Sequence, residues 1–129
     1  MPCIYIKGPR KKTNTILLEK AVQFQPSLLI DCSRAANPYR LRGVGPEDFQ
    51  HVYVIEVEML YKLRDVVDSI PCIIHEKNIR TVVITDWSSV FHYQNEYENR
   101  ILRKRIHTKI DSLNARVFTV SISNLHALQ

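Results

Sequence analysis

Short apolar runs and longer periodic segments alternate along this chain. The runs, at Cys3–Lys7, Ser27–Asp31, Val52–Ile55, Thr81–Thr85 and Arg116–Ser121, are rich in Val and Ile and mostly continuous. Such runs predict strands covered on both faces of a parallel sheet. Between them, Asn14–Phe24 places Ile16, Leu17, Ala21 and Phe24 at helical steps, and Glu58–Lys77 does the same with Met59, Leu60, Leu63, Val66, Val67, Ile70, Ile73 and Ile74. Pro71 predicts a kink in this second helix or the start of another. Glu96–Leu113 sets Leu102, Ile106, Ile110 and Leu113 on one stripe, with Arg100, Arg103, Lys104 and His107 largely on another. Strands alternating with helices predict an α/β fold: one domain over 1–129, its mostly parallel sheet flanked by helices and joined by right-handed crossovers.

Composition narrows this picture only slightly. A chain of 129 residues with 45% hydrophobic residues can bury a core of its own. No apolar run approaches the roughly 20 residues of a membrane helix, and Lys7, Arg10, Lys11 and Lys12 interrupt the start of the chain unlike a secretory signal. The expected location is cytoplasmic, with no membrane partner. Cys3, Cys32 and Cys72 lie far apart in or beside apolar segments, as buried thiols in a reducing compartment do. His75, His92, His107 and His126 lack metal-ligand spacing, so no metal site is assigned. The net charge of +5 is compatible with an acidic partner without requiring one.

Ligands of open parallel sheets bind outside the carboxyl ends of the strands. After the first strand come Gly8-Pro9-Arg10-Lys11-Lys12-Thr13 and then a helix, the layout of a phosphate-binding P-loop with its middle missing. A complete G-x-x-x-x-G-K-[ST] loop wraps phosphate in successive backbone N–H groups, while its Lys reaches the outer phosphates and its hydroxyl binds Mg²⁺. Here Lys12 and Thr13 supply the final pair, but the loop is two residues short and has no second glycine. A plainer reading makes Thr13 the helix N-cap and Lys12 a solvated charge. Asp86, ending the fourth apolar run, either supports Mg²⁺ or caps the adjoining turn. Trp87 either stacks on a ring or packs.

These segments resemble the RadA-type recombinases of the RecA superfamily. Leu28–Leu41 is similar to that family's strand and turn, with Asp31, Pro38, Arg40 and Leu41 on matching residues; Gly45–Val54 and Glu76–Ser89 resemble its next two segments. The resemblance implies a RecA-like P-loop NTPase core in a minimal form, without the family's extra N-terminal domain, docking linker or C-terminal extension. It makes Gly8, Lys12, Thr13 and Asp86 a vestigial nucleotide site. It also argues against catalysis, because Ser33 stands where the family has the Glu that activates water, and Ser121 and Ile122 stand where it has a phosphate-sensing Asn-Gln pair. No catalytic residue is assigned and no cofactor is expected, ATP and Mg²⁺ included. The resemblance further implies that Gly8–Thr13 and Asp86 follow neighbouring strands.

Basic residues cluster at Arg10 and Lys11 and again at Arg100, Arg103, Lys104 and His107, the latter preceded by Phe91–Tyr97. In the resembled family this region leads through a DNA-binding loop. The reading that follows is a catalytically inactive accessory factor in DNA recombination and repair. Its partners would be single- or double-stranded DNA, a RadA-type recombinase or further copies of the chain. Two alternatives remain: a weak, atypical ATPase holding Mg-nucleotide on Lys12, Thr13 and Asp86, and an interaction module with no nucleic-acid role.

Overall fold

A computed structural model describes residues 3–36, 41, 43, 45–91 and 95–120. In chain order the elements are β1 (Cys3–Tyr5), α1 (Arg10–Gln23), β2 (Ser27–Asp31), β3 (Val52–Glu56), α2 (Leu60–Lys77), β4 (Thr81–Ile84), α3 (Glu96–Asp111) and β5 (Arg116–Thr119), with short 3-10 turns at Pro46–Phe49 and Ser88–Val90. The strands form one sheet in the order β1-β5-β4-β2-β3, and every pairing is parallel.

Chain direction within the sheet explains the layering. The crossover from β1 to β2 runs one way across it, whereas those from β3 to β4 and from β4 to β5 run the other way. Right-handed connections therefore put α1 on one face and α2 with α3 on the opposite face. Side chains agree. Phe118 is in register with Ile4 and stacks on Phe24 at the end of α1, while the alternate residue Tyr5 meets His107 of α3. Leu28, Leu29 and Ile30 of β2 and Val82, Val83 and Ile84 of β4 are wholly buried, which is why these strands read as continuous apolar runs.

Local signals mislead at two places. Helix α1 begins at Arg10, four residues ahead of the expected start, with Pro9 as its N-cap, so Thr13 is inside the helix and its hydroxyl donates to the Arg10 carbonyl at 3.0 Å. Three cations in a first turn oppose the helix dipole; burial of Thr13, Asn14, Leu17 and Leu18 against the sheet outweighs this. Helix α2 runs through Pro71 as one element. The proline sits on the exposed side, with Leu63, Val67 and Ile70 buried before it and Ile73 and Ile74 packed after it, and that burial offsets one lost hydrogen bond. Among the described residues, no helix is long and apolar enough to cross a membrane.

Candidate functional site

The carboxyl edge gathers the loop after β1, the turn after β2 and the Thr85–Ser89 segment after β4. Gly8 leaves β1 with φ 137°, a conformation open in practice to glycine alone, and a Cβ there would meet the Thr13 methyl at 3.7 Å. Gly8 thus turns the chain into α1. Strand β5 lies between β1 and β4, so the expectation that Gly8–Thr13 and Asp86 follow neighbouring strands is incorrect. The segments nevertheless meet, because α1 leans across the sheet. Its Asn14 accepts the Asp86 backbone N–H at 2.9 Å and donates from Nδ2 to the Ser33 hydroxyl at 2.9 Å.

Asp31 organises the second turn. Its Oδ1 accepts N–H groups of Ser33 at 3.3 Å and Ala35 at 2.9 Å and the Thr85 hydroxyl at 3.2 Å, and its Oδ2 accepts the Ala36 N–H at 3.0 Å. Arg34, at φ 54°, supplies the left-handed residue that bends these donors inward. Thr85 also accepts the Cys32 N–H at 2.8 Å, and Ser89 donates to the Cys32 carbonyl at 2.9 Å. Burial, with the nearby Asp31 and Asp86 charges adding to it, pushes the Cys32 thiol far above its usual range, so it remains protonated. Asp86 accepts the Ser88 N–H at 2.9 Å, the turn-capping arrangement. Lys12 is exposed at the rim.

The Cys32, Ser33, Ala35 and Ala36 N–H groups and the Thr85 and Ser89 hydroxyls are therefore used within the protein. Asn14 and Thr85, which tie the edge together, were not singled out in the sequence. The only available signal was a polar side chain at a helix position stepping with Leu17, Leu18 and Ala21, and a hydroxyl closing an apolar strand.

The basic residues divide between the two sides of the sheet. Arg10 and Lys11 are exposed on the first turn of α1, opposite the layer that holds Arg100, Arg103, Lys104 and His107. On α3, Arg100 and Lys104 face solvent, whereas Arg103 is half-buried. His107 turns inward, its ring 5.0 Å from Trp87 and 5.9 Å from Tyr5. The Tyr5 hydroxyl donates to Asp111 at 2.9 Å; partial burial and this bond push its phenol upward. Trp87 is wholly buried, with its indole N–H on the Val120 carbonyl at 3.3 Å, so it packs and does not stack on a ligand. A groove of about 570 Å³ runs beside α3, with Ile101, Lys104, Arg105 and Lys109 along it and Asp68 of α2 paired to Arg105 at 3.1 Å.

Pro38, Arg40, the segment 92–94 with His92, and Ser121, Ile122, Ser123 and His126 lie outside the described residues. Among the described residues, no group of His, Cys, Asp or Glu is arranged to hold a metal ion. Comparison of the chain with protein-family models gives no match, and no curated protein matches it.

Proposed function

We propose that this chain is a non-hydrolysing RecA/RadA-like accessory factor of DNA recombination and repair that acts through its surface. The observation that carries the reading is the convergence of the shortened loop, Asp31–Ser33 and Asp86 on one sheet edge, with Asn14 bridging Ser33 and Asp86. The resemblance calls for those three segments to meet, and their mutual bonding explains how the edge remains stable without a nucleotide. Ser33 has no carboxylate with which to activate water.

The surface for DNA is the outer side of α3, where Arg100 and Lys104 are exposed and Lys104 and Lys109 line the groove beside Ile101. Arg105 contributes less, being held by Asp68. Contacts of this kind recognise phosphate and not sequence. Titration of labelled single-stranded DNA at several salt concentrations tests the reading. Changing Arg100, Lys104 and Lys109 together to Ala is expected to weaken binding and lower the salt slope by about 0.7 per lost phosphate contact. Unchanged affinity and slope in the folded triple variant, or no binding by the parent protein at low salt, would overturn it.

A further inference from the structure

The amino edge of the sheet carries a second candidate site. A cleft of about 480 Å³ opens there between the end of α1 and the starts of β4 and β5, with Phe24, Ile79, Arg80, Thr81, Ala115 and Arg116 among its lining residues. That volume falls within the range of small-molecule pockets, about 300–1,000 Å³. We infer that this cleft binds a compact phosphate dianion, either inorganic phosphate or the phosphate group of a small phosphomonoester.

Arg80 and Arg116 both line the cleft. Arg116 is in register with Thr81, and its N–H bonds the Arg80 carbonyl at 3.1 Å, so the two side chains start from adjacent strands. The Arg116 guanidinium carbon stands 4.4 Å from the centre of the Phe24 ring, which in turn stacks on Phe118 at 5.7 Å. A guanidinium held by its face against a ring keeps its in-plane N–H donors for other partners. Among the described residues, neither Arg80 nor Arg116 has an ion pair or a side-chain hydrogen bond. No acidic side chain lines the cleft, and the Lys20 ammonium lies 5.8 Å from the Phe24 ring centre.

Electrostatic opposition comes from the helices, since all three end at this edge and each carboxyl terminus carries roughly half a negative charge. Arg80 and Arg116 on the cleft, with Lys20 beside Phe24, offset the end of α1 that borders it. Paired arginine forks match a tetrahedral oxyanion, and a divalent anion gains more from two or three cations than a monovalent carboxylate does.

NMR titration of the full chain at constant ionic strength tests the inference, with inorganic phosphate, glycerol phosphate and acetate as probes. Saturable shifts centred on Arg80, Ala115 and Arg116 with the phosphates, and at least tenfold weaker binding of acetate, are expected. Arg116→Gln and Arg80→Gln should each weaken phosphate binding at least tenfold, and Lys12→Ala should leave it unchanged. Tighter binding of glycerol phosphate than of inorganic phosphate would support an esterified ligand, and the reverse order free phosphate. Should Arg116→Gln disturb the Phe24 stack, Arg80→Gln retains the test, because Arg80 makes no ring contact. The inference fails if phosphate and acetate act alike, if the shifts map to Gly8–Lys12, or if folded Arg80→Gln binds as the parent does.

Discussion

At the carboxyl edge Asp31 takes up three backbone N–H groups and the Thr85 hydroxyl, and Asn14 joins Ser33 to Asp86. At the amino edge Arg80 and Arg116 hold guanidiniums that bond no side chain or carbonyl among the described residues. Both edges belong to the same parallel sheet, and the topology favours the first as the ligand side. Topology fixes only where strand ends converge. Whether a ligand can be held there also depends on which donors the protein has left unused: the Asp31 turn bonds its own N–H groups, whereas Arg80, Arg116 and the uncapped first turn of α1 keep theirs.

The largest expected effect that tests this contrast is at Asp31. Asp31→Ala strips a 3% exposed carboxylate from four donors, at a cost of about 3 kcal/mol or more in a urea unfolding curve, because buried donors lose their acceptor. A loss below about 1 kcal/mol would mean that the turn does not depend on its internal bonds. Asn14→Ala should cost about 2 kcal/mol in the same measurement, since it removes the Ser33 bond and orphans the Asp86 N–H. The amino edge should respond least. Arg80→Gln is expected to shift stability by only about 0.5 kcal/mol, as substitution of an exposed side chain without a structural partner does, and Arg116→Gln by about 1 kcal/mol, since it also gives up the Phe24 contact. A cost as large as that at Asn14 would make those arginines part of the scaffold and erase the difference between the edges.

Much of the fold was legible from the chain. The run Ser27–Asp31 became β2 with the same ends, and the stripe of Leu102, Ile106 and Ile110 became the buried side of α3. These followed from burial on both sheet faces and from helical periodicity, which are local patterns. The start of α1 was not legible, because its first turn carries Arg10, Lys11 and Lys12 and only tertiary burial of Thr13 and Asn14 overrides them. The insertion of β5 between β1 and β4 is likewise a long-range fact with no local signal. Of the candidate site, Thr13, read as an N-cap, lies inside α1 with its hydroxyl on the Arg10 carbonyl, and the roles of Asn14 and Thr85 emerge only when α1 and β4 are placed together. His107 and Arg103 were read as part of a basic face from helical spacing alone. The spacing could not reveal that Tyr5 and Trp87 draw His107 inward.

The proposal that the carboxyl edge does not hold a nucleotide is tested most directly by titrating the full chain with Mg-ATP in a calorimeter. The account predicts no saturable heat with millimolar nucleotide. Saturable binding that Asp86→Ala or Lys12→Ala abolishes would contradict it.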